Sequence, residues 1–396
     1  MGYVCPGSVR LTVHLRFLVP ANIRHNSGGN VYNARLAEGL GALGVEVEVL
    51  AVDGSWPEAN TNDRRRLGGL LSERQAGTEH TSGTEHTSGT ERTSGTEHTS
   101  GTEHTSGTVT LVDGLIACGA PNEFEAAAAA GHPAWVLLHM PSPTHPDRER
   151  RSLRAAAGVI CSSSSAADHA TKRHGVQDSR VALPGTDPAP VAAGSQPPHI
   201  VAVAAVLPNK CQLLTVEALT KVQDLEWSAS LVGTPDADPV YAAQVRAAID
   251  ASGLGHRIQL AGQLVGQELA DEWHRADLSL LVSRAEAFGL VVTESLARGI
   301  PVIVRAGTGA VEALGMGNRA PEGREEALPG TAVVLPGPDH NDPEVLAAVI
   351  RKWLTDATLR AEWQAAALAA RERLPGWDTT ARDVLGIFAA GYTKPR

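Results

Sequence analysis

Leu278-Ser279-Leu280-Leu281-Val282-Ser283-Arg284-Ala285-Glu286-Ala287-Phe288-Gly289-Leu290-Val291-Val292-Thr293-Glu294 reads as a strand, a short turn and the start of a helix. The apolar run Leu278 to Val282 forms the strand, Gly289 frees the turn, and Glu294 lies one or two turns into the helix. Such a strand end, passing through a glycine turn into a helix N-terminus, is where phosphorylated ligands are usually gripped. Amides freed by Gly289 can face a phosphate, while Glu286 and Glu294, eight positions apart, can accept hydrogen bonds from sugar hydroxyls. The pattern asks for a polyol and a phosphate together. A helix-start glutamate alone is more often a solvated charge favoured by the helix dipole. Here Phe288-Gly289, the strand before and the Gly299-Ile300-Pro301-Val302 strand entry after supply the context that a lone pair of acids lacks.

The same alternation extends outward in both directions. The first half predicts strands at Leu11 to Val19, Val45 to Val52, Val109 to Val112, Ala134 to Leu138, Gly158 to Cys161 and Arg180 to Leu183, with a helix from Asn30 to Leu43. A Pro/Gly/Ser-rich stretch from Pro184 to Pro198 marks a domain boundary. The rhythm then restarts with strands at His199 to Val206, Ser228 to Val232 and Ile258 to Ala261, and helices at Cys211 to Val222, Val240 to Ser252 and Gly266 to Ala276. Strands alternating with helices imply parallel sheets joined by crossovers, hence an α/β chain of two Rossmann-like halves with a ligand cleft between them.

Continued by Ser295 to Val304 and ending near Gly309-Ala310-Val311-Glu312, the opening stretch resembles the donor-site signature of the family 4 retaining glycosyltransferases. The resemblance is strongest from Asp277 to Leu314. It implies the GT-B fold: residues 1–192 as a Rossmann-like acceptor domain, 198–375 as a Rossmann-like donor domain, and 376–396 as a helix returning to the first. It also assigns roles. Glu294 would take the ribose hydroxyls and Glu286 the hydroxyls of the transferred sugar, with Phe288, Gly289, Leu290 and Val291 supplying amides. Gly28 and Gly29, which open the first helix, would sit near the donor diphosphate or the acceptor. His139, at the end of Val136-Leu137-Leu138, would hold the sugar or the acceptor hydroxyl. Lys210, in Leu207-Pro208-Asn209-Lys210, would stabilise the leaving diphosphate. Gly233 and Gly262 would border the nucleobase.

The chain departs from the family at two neighbouring positions. The phosphate-binding Arg expected five residues before Lys210 falls on Ala205, and the usual Gly after that Lys is Cys211. Arg24 and Arg284 are candidate replacements for the missing charge. Asp236-Ala237-Asp238 mimics the Asp-x-Asp metal motif of the other major glycosyltransferase fold but sits in a Pro-flanked loop, and it reads as a polar turn. Neither a cofactor nor an obligatory metal is expected. The donor would be a nucleoside-diphosphate sugar, the acceptor a small molecule, glycan or lipid, and the anomeric configuration would be retained. Two rivals share the architecture: a nucleotide-sugar epimerase, and a degenerate protein that binds without turnover.

The bulk properties agree. The net charge of −10 includes −4 from the repeat described below, five Glu against Arg92, and leaves no general affinity for nucleic acid. Cys5, Cys118, Cys161 and Cys211 are scattered, so reduced buried thiols are expected rather than a disulfide framework or a zinc site. His14 and Arg16 interrupt the first apolar run and disqualify it as a signal peptide. Pro6 occupies the Ser/Thr position of a myristoylation motif that would begin at Gly2. A cytoplasmic protein is expected. The basic stretch Arg148 to Arg154 could touch an anionic acceptor or give a weak peripheral membrane contact, against the plainer reading of a solvated helix face. From Gly77 to Thr108 the hexapeptide Gly-Thr-Glu-His-Thr-Ser recurs five times, with Arg92 replacing one His. It offers no apolar residue to bury and reads as a disordered expansion, with His80, His86, His98 and His104 lacking any fixed geometry for a metal.

Overall fold

The computed structural model describes residues 13–22, 27–72, 107–317, 327–336 and 342–392. Cys5, Arg24 and residues 77–106 of the repeat lie outside the described residues.

The first unit runs β1 (Val13–Pro20), α1 (Gly28–Ala42), β2 (Glu46–Val52), α2 (Thr61–Ser72), β3 (Gly107–Asp113), α3 (Gly114–Gly119), α4 (Pro121–Ala129), β4 (Trp135–Leu138), α5 (Pro146–Ala155), β5 (Gly158–Cys161), α6 (Ser164–His174) and β6 (Arg180–Val181). The second runs β7 (His199–Val203), α7 (Gln212–Thr220), β8 (Ser228–Val232), α8 (Pro239–Ser252), β9 (Ile258–Gly262), α9 (Gly266–His274), β10 (Leu278–Leu281), α10 (Leu290–Leu296), β11 (Val302–Arg305), α11 (Ala310–Leu314), β12 (Gly330–Val333), α12 (Pro343–Thr355) and α13 (Ala357–Arg371). Helix α14 (Trp377–Tyr392) follows.

Each unit is built on one parallel six-stranded sheet, ordered β2-β1-β3-β4-β5-β6 in the first and β12-β11-β10-β7-β8-β9 in the second. Strands buried on both faces need continuous apolar runs, and β10 and β11 are buried at every position. The edge strand β2 instead carries Glu46 and Glu48, and Glu48 pairs at 3.4 Å with Arg16, a buried residue that donates to Leu70 O.

Strand order reverses between β1 and β3 in one sheet and between β7 and β10 in the other. Ligands of open α/β sheets lie outside the strand ends at such switch points. Helix α14 packs on α1, burying Ala381, Val384 and Phe388 against the face that holds Tyr32, Leu36 and Leu40. The chain leaving the first unit touches the chain returning to it. Thr186 N donates to Pro375 O at 2.9 Å, and Thr380 Oγ1 donates to Leu183 O at 2.8 Å. A Cβ on Gly185 would lie 2.3 Å from Trp377 N, so only glycine fits this crossing.

Strand β6 stops at Val181 and β7 at Val203, short of the expected Leu183 and Val206. Leu183 has left the sheet to accept from Thr380, and beyond Val203 the chain bends away, with Val206 N bonded to Thr234 O.

Candidate active site

One cavity of about 420 Å³ opens between the two sheets. Its first wall comes from the strand ends of the first unit: Pro20 and Ser27 to Asn30 after β1, Asp113 to Leu115 after β3, His139 and Met140 after β4, and Ser162 after β5. Its second wall comes from both arms of the other switch point, Val203 to Ala205, Leu207, Asn209 and Lys210 after β7 and Leu281 with Glu286 to Val291 after β10. Two helix starts meet here: a Cβ on Gly28 would lie 3.6 Å from Leu290 Cδ1. Ser27 caps α1, accepting from Asn30 N at 3.2 Å.

Gly28, Gly29, His139, Lys210, Glu286, Phe288, Gly289, Leu290 and Val291 all line this cavity. Lys210 Nζ and Glu286 Oε1 are joined as an ion pair, both largely buried. The loop that carries Glu286 is held from behind: Gly309 N donates to Glu286 O at 2.8 Å, and a Cβ on Gly309 would fall 1.7 Å from Ala287 O. Gly289 has φ +91°, and a Cβ there would lie 2.8 Å from Leu281 Cδ2, so glycine is required on both counts. Phe288 sends its ring into the core with Leu281, Val292 and Val304, leaving its backbone to the cavity wall.

Glu294 does not line the cavity. It sits part-buried further along α10, where its backbone O accepts from Arg298 Nη1 at 2.7 Å. Burial pushes its carboxyl above the ordinary 4.5, opposed by Arg298 and reinforced by Asp187.

His139 is held by residues that the sequence reading did not single out. Its Nε2 lies 2.8 Å from Asn33 Oδ1 and 3.5 Å from Asp113 Oδ2, while Asn33 Nδ2 donates to Asp113 Oδ2 at 2.8 Å. The Tyr32 ring stands edge-on to it at 5.1 Å. Gly29 gives it room, since a Cβ there would lie 3.2 Å from His139 Cδ2. Burial lowers the imidazole pKa from 6.5, against the opposing pull of Asp113, and so favours the neutral ring. A signal for these partners exists in the chain. Asp113 is a polar residue at a strand end, and Asn33 shares the stripe of Leu36 and Leu40 on an otherwise apolar helix face.

Other expectations distribute differently. Ala205 is on the cavity wall, but Arg284 is exposed and outside the lining. Gly233 and Gly262 are outside the lining as well; a Cβ on Gly233 would fall 1.8 Å from Ala204 O, so that glycine serves close backbone packing. Cys211 adopts the left-handed conformation (φ 59°, ψ 38°), and its Sγ accepts from the buried Arg305 at 3.5 Å. Asp238 caps α8, accepting from Tyr241 N at 2.9 Å. Cys118, Cys161 and Cys211 are buried and none of the three is in a disulfide.

In the basic stretch, Arg148 pairs with Glu58, Arg150 with Asp147 and Arg151 with Glu125, and Arg154 donates to His174 O. Among the described residues no helix is long and apolar enough to cross a membrane. The metal-competent grouping found among those residues is Glu149, His169 and His174, away from the cavity, with Glu149 and His174 already bonded at 2.6 Å.

Residues 186–369, which carry the second wall, match the family described as Glycosyl transferases group 1. This part of the chain is similar to a group 1 glycosyltransferase domain. The chain is 34% identical over 123 residues to D-inositol 3-phosphate glycosyltransferase of Thermomonospora curvata, covering 31% of this chain and 25% of that protein. It is 30% identical over 166 residues to the protein of the same name from Xylanimonas cellulosilytica, covering 42% and 36%. The chain thus spans roughly a quarter to a third of these relatives' own length.

Solved structures match almost throughout. A glycosyltransferase from Rickettsia africae superposes with a TM-score of 0.69 at 16% identity, covering 98% of this chain and 100% of that one. Sucrose-phosphate synthase from Thermosynechococcus elongatus gives 0.67 at 18%, covering 96% and 98%. Anabaena HepE, in complex with UDP and glucose, gives 0.65 at 17%, covering 95% and 99%. The two units together form a GT-B fold.

Proposed function

We propose that this protein is a family 4 glycosyltransferase that moves a sugar from a nucleoside-diphosphate sugar to an acceptor hydroxyl, with retention at the anomeric carbon and without an obligatory metal. One observation carries the reading: the switch points of two parallel sheets open on a single cavity whose wall holds the Lys210–Glu286 pair.

In this reading the donor diphosphate draws Lys210 away from Glu286. Lys210 then steadies the leaving phosphate, and the freed carboxylate takes hydroxyls of the transferred sugar. Amides at Gly289 to Val291 face the phosphates, with Gly28 and Gly29 opposite. Glu294 takes the ribose hydroxyls, which requires the nucleotide to reach beyond the cavity along α10. His139 holds the transferred sugar or the incoming hydroxyl. A departing phosphate oxygen takes the acceptor's proton, since the carboxylates on the cavity wall, Asp113 and Glu286, are engaged by Asn33 and Lys210. Orientation and charge stabilisation supply most of the acceleration.

The uridine nucleotide bound by HepE makes UDP and UDP-sugars the first ligands to test. A thermal-shift screen of nucleotides and nucleotide sugars identifies the donor. Incubation with the radiolabelled donor then separates transfer or slow hydrolysis from isomerisation and from binding alone. Ala205 on the cavity wall, where a cation was expected, favours binding alone as the second reading. Glu286→Gln should keep its fold and lose about a hundredfold in transfer rate; an unchanged rate rejects the assigned role.

A further inference from the structure

The hydrogen bonds around His139 determine which nitrogen carries its proton. Asp113 Oδ1 accepts from Leu115 N at 2.8 Å, capping α3, and Oδ2 is left for the cavity side. A carboxylate only accepts, so the Asn33 amide must turn its Nδ2 toward Oδ2, as it does at 2.8 Å. The Asn33 carbonyl oxygen then faces His139 Nε2 at 2.8 Å, and since a carbonyl also only accepts, Nε2 is the protonated nitrogen. In the neutral ring, Nδ1 is left as a lone pair. The Nε2–Cδ2 edge faces Asn33 and Gly29 on α1, so Nδ1 lies on the edge turned away from α1 in a residue that lines the cavity.

We infer that Asn33 and Asp113 are positioning residues that lock His139 as the Nε2–H tautomer and present Nδ1 to the ligand as a hydrogen-bond acceptor. A lone pair repels phosphate oxygens and accepts from hydroxyls. His139 would therefore read an alcohol of the sugar or acceptor and not the diphosphate. That ligand assignment rests on the proposed function, whereas the tautomer does not. The charged group facing the ring is Asp113; the Tyr32 hydroxyl points away to Ala182 O, and Lys210 and Glu286 on the opposite wall pair with each other.

The test is long-range 1H–15N NMR of the full chain labelled with 15N-histidine, with His139 assigned by its loss in His139→Gln. The wild type should show protonated Nε2 and bare Nδ1 around neutral pH. Asn33→Asp places a second carboxylate on the ring, so the His139 titration midpoint should rise by about one unit or more. Turnover of the donor should fall at neutral pH in proportion to the newly protonated fraction of His139 and recover at higher pH, where the ring is neutral again. Asn33→Ala should give a mixture of tautomers. A protonated Nδ1 in the wild type, or a tautomer and midpoint unmoved in both variants, overturns the inference. A locked Nε2–H tautomer in a protein that neither binds nor turns over any nucleotide sugar rejects the proposed function and leaves the positioning role standing.

Discussion

Glu294 and Cys211 show how single residues are tuned here. The Glu294 carboxyl is raised by burial, so the folded chain still holds a proton at pH values where the unfolded chain has released it. Stability should therefore fall as pH rises upward from the ordinary 4.5 through the raised value. Ribose hydroxyls donate to the ionised form, so donor binding releases that proton and affinity should climb over the same window, then level off. Calorimetric titration of the nucleotide across that range should show the climb in wild type and its loss in Glu294→Gln. At Cys211 the backbone is left-handed (φ 59°), the conformation that glycine adopts without penalty. Cys211→Gly and Cys211→Ala both remove the thiol, but only the first relieves the backbone. The glycine variant should be the more stable by about 1 kcal/mol in urea titrations.

At the scale of elements, the turn between β10 and α10 depends on the helix that follows β11. Gly309, at the N-terminus of α11, presses directly on Ala287 O and bonds Glu286 O, so α11 sets the height at which Glu286 enters the cavity. Gly309→Ala has no space to accept its methyl and must move one backbone segment or the other. We expect a loss of about 3 kcal/mol in stability, with donor binding weakened beyond what Tm alone accounts for, measured by nucleotide titration below the transition. The four-residue motif around Gly309 was visible in the sequence. Its purpose as a rear support for the Glu286 loop was not, because residues 23 positions apart meet only once β11 is seated beside β10.

Over the whole molecule, the two units are also joined beside the cavity by a carboxylate of one and a helix start of the other. Glu312 Oε2 accepts from Ser164 N at 2.9 Å and Oε1 from Ser164 Oγ at 2.6 Å, where Ser163 already caps α6 from within. This contact bridges the two units. It is exposed, so its worth is modest and screened by salt. Glu312→Ala should raise the donor KM about threefold with kcat changed less, and the difference should shrink at high ionic strength. Small-angle scattering should show the variant more open without donor and indistinguishable from wild type with it.

The sequence by itself determined the α/β class, the two parallel sheets and the strand-turn-helix that carries Glu286, because apolar runs, glycine turns and helix starts are local properties of the chain. It also marked Gly28, Gly29, His139 and Lys210, each at or near a strand end. Only the tertiary structure decided that Lys210 and Glu286 are joined, that Arg284 and Glu294 stay outside the cavity lining, and that Asn33 and Asp113 hold His139. Those facts depend on side-chain distances between segments separated by as many as 106 positions, which close packing of the sheets fixes and local sequence does not encode.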